Sequence, residues 1–228
     1  MIKNLKFIII FFVILFVFIF DSFGLADIIG SKDTANVYTY TLNSEDDVII
    51  TSTMTLTENY VIRLDTQTAS GLIIKNENEN FNYWSNDTTL SVNGNILLAK
   101  IYLLNENLIN ATNLIISSDS YVETNVDNLV TTGGIENEGM LYVTGGKNTN
   151  IITASSGTVV FNISTNTIST NSANISQYEV ISQGEFYNEA EIKANNYENY
   201  GLVRSSGTIE VSTFTNKGSF YTDAGNII

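Results

Sequence analysis

Residues 199–215 read NYGLVRSSGTIEVSTFT, and residues 216–220, NKGSF, start the same text again seventeen positions on. The segment just before, SQGEFYNEAEIKANNYE (182–198), has the same layout. Gly184, Gly201 and Gly218 fall at a constant spacing, and Phe186, Val203 and Phe220 align two residues after them. Ala190, Gly207 and Ala224 form another column, Ile192 aligns with Ile209, Ala194 with Val211, and Tyr197 with Phe214. One period earlier Ala173-Asn174-Ile175 lands on Ala190-Glu191-Ile192. Further back, Gly157-Thr158-Val159 echoes Gly207-Thr208-Ile209 with a one-residue slip, and Asn137–Leu141 matches Asn199–Val203.

Self-similarity at a short fixed period is the mark of a solenoid, in which each turn buries its inner face only against its neighbours. Two or three short strands per turn stack parallel on the next turn about 4.8 Å away, so like positions form columns. Phe186, Val203 and Phe220 are expected to lie over one another, as are Ile192 and Ile209. The glycine column marks corners that need positive φ or close backbone approach. Asn before Gly supplies the turn chemistry, because its side chain bonds nearby backbone. The fold expected is therefore all-β, a single parallel β-helix of about 17-residue rungs. It occupies residues 27–228, with repeats clearest over 135–228. That length predicts on the order of ten turns and a rod about 50 Å long. An antiparallel sandwich would also use short, regularly spaced strands, but it does not require the columns to agree.

The remaining text fits. VYTYTL, DVIITSTMTL and NYVIRLD alternate apolar with Thr or charged residues, the period of half-buried strands. Asn43–Asp47, Asn76–Asn80, Asn93–Asn95 and Gly133-Gly134 break them. ILLAKIYLLNENLI (96–109) is the best helical candidate, yet it sits between strand-like neighbours and reads as strands.

The chain begins with Lys3 and Lys6, an unbroken apolar run from Phe7 to Phe20, a break at Asp21-Ser22, and Gly24-Leu25-Ala26. That order is a secretory signal over residues 1–26, with cleavage expected after Ala26. The alternative, an uncleaved anchor, needs roughly 20 apolar residues, more than this run offers. The protein is thus expected outside the cytoplasm.

Composition removes several function classes. The 228 residues contain no Cys, His or Pro, so disulfides, thiolate metal sites and imidazole chemistry are excluded. The net charge is −14, from 24 acidic and 10 basic residues with no basic stripe, which argues against nucleic-acid binding. Only 15% of residues are charged, too few for a disordered acidic tail.

The rung pattern, Asn-x-Gly-x-apolar followed by Gly-Thr-Ile-x-Val, resembles the repeats of bacterial autotransporter passengers and filamentous-haemagglutinin-type exoproteins. The resemblance covers about Ile135 to Ile228 and is looser from Asn36; the motif is generic to such rods. It implies a right-handed helix that is exported and displayed on the outer membrane or released from it. A translocator barrel, usual in the family, would have to lie elsewhere. The Pro-containing motifs of two-partner secretion are absent. The last residues, Gly225–Ile228, do not read as a polar cap. They suggest a fragment of a longer passenger or end-to-end self-association.

Candidate chemistry is sparse. A glycosidase needs two carboxylates across a cleft. Asp46-Asp47 and Glu189/Glu191 qualify by type, but the latter align with Ser206/Asp223 and Thr208/Gly225, as solvent-facing positions would. A lyase would need a base beside metal-binding carboxylates, whereas Arg63, Lys75, Lys100, Lys147, Lys193 and Arg204 are scattered singly. Ser44–Asp47 and Asn76–Asn80 offer oxygen ligands for calcium in no recognised spacing. Val143–Asn148, VTGGKN, lacks the first Gly and the Ser/Thr of a phosphate loop. Trp84, beside Phe81 and Tyr83, could stack on a sugar but suits strand packing better. Sequons at Asn86, Asn110, Asn162 and Asn174 matter only in a glycosylating pathway. The expectation is an exported adhesive or structural solenoid with no catalytic, cofactor or metal residues, facing an unknown protein or glycan ligand. The alternatives are a polysaccharide lyase or glycosidase on the same fold, or a nonfunctional fragment of a longer passenger.

Overall fold

A computed structural model describes residues 30–32, 37–42, 48–51, 61–63, 71–76, 83–86, 89–92, 94–161, 168–223 and 227–228. The expected signal segment, the Asp46-Asp47 pair and the Ser44–Asp47 cluster lie outside the described residues, as do Glu77–Asn80, Asn162 and Ala224.

The described chain is strands joined by short turns, and its one helical element among the described residues is a single 3-10 turn at Val126–Asn128. Parallel strands stack as a β-solenoid of about seven turns. Within one turn the path has three flat sides, seen most simply from Ile175 onward. Strand Ile175–Ser182 buries Ile175 and Gln177, then Val180 and Ser182, so the in–out alternation changes phase at Tyr178-Glu179. Pairing to the next turn skips Tyr178 for the same reason, and the strand bends there through a corner. We call residues 175–177 face A and 179–182 face B; strand Glu185–Asn188, after the Gln183-Gly184 corner, is face C. Strands Ile192–Asn199 with Leu202–Ser205, and Ile209–Asn216 with Ser219–Thr222, repeat this path.

On face A, one inward column runs Ile96, Leu114, Ile135, Ile152, Ile175, Ile192, Ile209, each pairing in register with the next. All seven are at most 1% exposed. Each side chain so buried contributes about 1.5–3 kcal/mol of transfer free energy. Face B stacks Leu103, Val122, Leu141, Val159, Val180, Tyr197 and Phe214 in the same manner. On face C, Phe186 pairs with Val203 and Val203 with Phe220.

The successive face A residues are 18, 21, 17, 23, 17 and 17 positions apart. The seventeen-residue rung is therefore the short form, and these six spacings average just under nineteen. Surplus residues loop out at corners, where a chain can lengthen without disturbing the columns. This variation corrects two of the sequence alignments. Val159 pairs with Val180 in the face B column, not in the Ile209 column. Leu141 likewise belongs to face B, while Val203 belongs to face C. Both echoes are genuine corner chemistry, but at different corners of the same turn. Among the described residues the solenoid has about seven turns, where about ten were expected over residues 27–228. Seven turns at about 4.8 Å give a rod of about 30 Å. Before residue 95 parallel pairing continues at wider spacing, Tyr38 to Leu72 and Leu72 to Ile96. Antiparallel pairing joins Gly30–Lys32 to Val37–Leu42.

The 96–109 segment is strand, Asn95–Ala99 and Tyr102–Asn105. Lys100, at φ 58°, turns the corner between them.

Candidate interaction surfaces

The corners decide which side chains face outward. Gly201 and Gly218 are not among the glycines with positive φ. Their requirement is space: a Cβ on Gly201 would sit 2.1 Å from the carbonyl oxygens of Gln183 and Gly184, and one on Gly218 would sit 2.0 Å from that of Gly201. The same carbonyls accept turn-to-turn hydrogen bonds, Leu202 N–H to Gly184 at 2.9 Å and Ser219 N–H to Gly201 at 2.8 Å. Gly184, Gly201 and Gly218 thus lie over one another at the corner between faces B and C.

Inside the corners run polar ladders that sequence reasoning missed. Asn148 Nδ2 donates to Asn171 Oδ1 at 2.8 Å, Asn171 to Asn188 at 3.0 Å, and Asn188 to Ser205 Oγ at 3.1 Å. At another corner Ser182 Oγ donates to Asn199 Oδ1 (3.1 Å), and Asn199 Nδ2 to Asn216 Oδ1 (2.7 Å). Earlier in that same column Asn86, Asn105 and Thr124 are joined by bonds of 2.7 and 3.0 Å. Asn suits these columns because it donates and accepts along the axis while also bonding its own corner. Asn188 Nδ2, for example, also reaches Ala190 O at 2.8 Å. The signal available in the sequence was the Asn that stands two positions before Gly201 and again before Gly218.

The outer surfaces differ in character. Face A is polar and exposed: Ser176, Lys193 and Glu210 follow one another, with Lys193 Nζ 3.3 Å from both Glu191 and Glu210. Those carboxylates hold the Lys193 ammonium above its usual range, Glu210 contributing most. A shallow depression of roughly 400 Å³ lies here, lined by Ser176, Lys193, Asn195, Glu210, Ser212 and Ile228 among others. Glu210 is the one carboxylate among its described lining residues.

Face C mixes charge and aromatic rings, with Tyr187, Arg204 and Tyr221 in one column and Arg204 Cζ 5.4 Å from the Tyr221 ring. At its border Glu189 accepts from Ser172 Oγ at 2.6 Å and Lys147 Nζ at 3.3 Å. These two donors, the hydroxyl first, hold Glu189 below the usual carboxylate range.

Face B carries a tyrosine ladder. Tyr102 and Tyr121 stack at 5.9 Å with planes 15° apart, and Tyr121 and Tyr142 at 6.2 Å and 12°. Tyr102 O–H donates to Glu123, and Thr158 Oγ1 to Glu179 at 3.2 Å. Burial, aided by Tyr121 and Glu123, pushes the Tyr142 phenol up.

The residues singled out in the sequence are placed as follows. Phe186, Val203, Ile192 and Ile209 are fully buried and Phe220 is half-buried. All are packing positions. Glu189 bonds Ser172 of the neighbouring turn and Glu191 pairs with Lys193 of its own turn, so the two carboxylates have different side-chain partners. Val143–Asn148 lies within strand Met140–Asn148, which turns a corner at Gly146 (φ 95°), and the Lys147 N–H donates to Asp127 Oδ1 at 2.9 Å. Asn86 is buried in a ladder, whereas Asn110 and Asn174 are exposed. Trp84 lies on strand Tyr83–Asn86, where it pairs with Val48 and Leu103. Among the described residues no three His, Cys, Asp or Glu side chains group to hold a metal, and no helix is long and apolar enough to cross a membrane.

No protein-family model, curated protein or solved structure matches the chain.

Proposed function

We propose that this chain is an exported, surface-displayed or secreted solenoid that acts as a structural or adhesive protein, presenting its outer ladders to a partner without bond chemistry. The observation that carries the reading is the direction of the surface interactions. Ser172–Glu189, Lys193–Glu210 and Arg204–Tyr221 all run along the axis between neighbouring turns. They build continuous stripes suited to recognition over length. A hydrolytic site would instead converge two carboxylates, one of them kept protonated near neutral pH. Glu189, held ionised by Ser172 and Lys147, is poorly suited to that role. The apolar run at Phe7–Phe20 and the small residues before Asp27 support export.

The experiment has two arms. Expressed with residues 1–26 in a bacterial host, the protein is expected in the exported fraction with Asp27 at its N-terminus, read by mass spectrometry. The purified protein is then incubated with acidic and neutral polysaccharides, with no release of reducing or unsaturated ends expected. Turnover that one carboxylate substitution abolishes would overturn the reading in favour of a polysaccharide-active enzyme.

A further inference from the structure

Face B differs from the other two sides in combining an apolar stripe with charge of one sign. One outward column reads Glu123, Tyr142, Val160, Ile181, Glu198, so three apolar side chains on consecutive turns are flanked by a carboxylate at each end. Beside it Tyr102, Tyr121 and Met140 stack on adjacent turns. Val160 alternates with the inward Val159 and Phe161 and is itself covered at 3% exposed, so the accessible part of the strip is the half-buried Tyr102, Tyr121, Met140, Tyr142 and Ile181. The two columns side by side make a half-buried apolar strip on the outside of the rod. Protein surfaces seldom leave such a strip without use.

The acidic groups along the strip are Glu123, Glu179 and Glu198, and none of its outward positions between 102 and 198 is Lys or Arg. Hydroxyls from Tyr102, Thr158 and Tyr200 bond these carboxylates. The ion pairs of Lys147 and Lys193 lie away from this face, and Lys217, over the Tyr200 ring at 4.5 Å, reaches only the Glu198 end.

We propose that face B is a docking surface for an extended cationic polypeptide segment with apolar or aromatic side chains, laid along the rod axis. The proposal rests on the interaction-protein reading and names the chemistry of the partner. Charge complementarity selects this occupant. A second copy of the chain docked face to face would oppose carboxylate to carboxylate. A neutral apolar partner would strip water from the carboxylates without compensation. The six turns between Tyr102 and Glu198 span about 24 Å, the length of seven or eight extended residues.

The test uses the full chain and three fluorescein-labelled ten-residue peptides, alternating Lys-Tyr, Lys-Ser and Glu-Tyr, titrated by anisotropy at physiological salt. Saturable binding of the Lys-Tyr peptide is expected, with the other two at least about tenfold weaker. In the full chain, Glu123→Gln with Glu179→Gln should weaken binding about five- to tenfold, while Glu136→Gln with Glu210→Gln on face A leaves it unchanged. Equal binding of the Lys-Ser peptide would show attraction to net charge alone and overturn the proposal. Equal losses from the face A pair would do the same, as would a concentration-dependent dimer abolished by Tyr121→Lys. The peptide comparison on the unsubstituted chain decides the matter even where a variant folds poorly. Polysaccharide turnover with selective peptide binding intact would remove the non-enzymatic reading while leaving this surface standing.

Discussion

The side-chain amide of Asn171 donates to Oδ1 of Asn188 at 3.0 Å across seventeen residues of sequence, with both side chains fully buried. Neither residue touches solvent, and neither could be replaced by an apolar side chain without orphaning the other. Asn188→Leu is expected to destabilise the fold by about 1–3 kcal/mol, because Asn171 loses its acceptor and Ser205 its donor. Asn188→Asp keeps the shape but cannot donate to Ser205 Oγ or Ala190 O, and it buries a charge. Urea denaturation should rank wild type above Leu and Leu above Asp; an unchanged midpoint for either variant would contradict the ladder's role.

Gly201→Ala tests the corner. The new Cβ would meet two carbonyl oxygens at 2.1 Å, so the adjoining turns must separate. A loss of about 1–3 kcal/mol is expected, as for overpacking a dense site. Thr213→Ala, at an exposed position, serves as the control and should leave the melting temperature within error.

Ile152 and Ile168 separate the inside from the outside of the rod. Ile152 lies between Ile135 and Ile175 and is 0% exposed, whereas Ile168 is 56% exposed. Ile152→Ala should cost about 2–5 kcal/mol, and Ile168→Ala no more than about 0.5 kcal/mol. Comparable losses at both positions would mean that the inward register is misassigned.

Stability should fall above about pH 10. Tyr197 is fully buried, its phenol donating to Ser182 Oγ at 3.2 Å, and burial raises it well above the ordinary value of 10.0. Tyr142 is raised by burial and by its neighbours Tyr121 and Glu123. The unfolded chain releases these protons first, so the stabilisation is complete below the unfolded value and disappears as pH climbs through the folded one. Denaturation midpoints measured from about pH 8 to 11 should decline, and Tyr197→Phe should flatten the slope. A flat profile for the wild type would show that these phenols ionise alike in both states.

Lys193 bridges Glu191 and Glu210 on an exposed face, where water and salt weaken such pairs. Lys193→Ala should therefore leave the melting temperature unchanged at physiological salt. A measurable drop would mean that the face A charge ladder contributes to folding rather than only to the surface.

The repeat from Ser182 to Phe220 was legible because its turns have equal length, so Phe186, Val203 and Phe220 align by counting. Earlier turns were not, because a 21- and a 23-residue spacing break the count while the columns continue unbroken. The corner motif misled for a related reason. A three-sided turn has more than one corner, each needing small or Asn-rich sequence, so Asn137–Leu141 resembles Asn199–Val203 from a different corner. Lys100 turns a corner with no Gly or Asn to announce it. The tyrosine ladder was hidden as well, since Tyr102, Tyr121 and Tyr142 stack across unequal spacings and partly on the diagonal.

By itself the sequence determined that strands alternate, that small residues punctuate them and that like residues recur. Those properties follow from local backbone sterics and from the period-two geometry of a strand. Which turn lies over which, and so which outward side chains become neighbours, was decided by the tertiary structure. That choice belongs to the stacked columns of Ile and Asn, which tolerate extra residues at a corner but none within a strand, where one added residue would turn every later side chain to the opposite face.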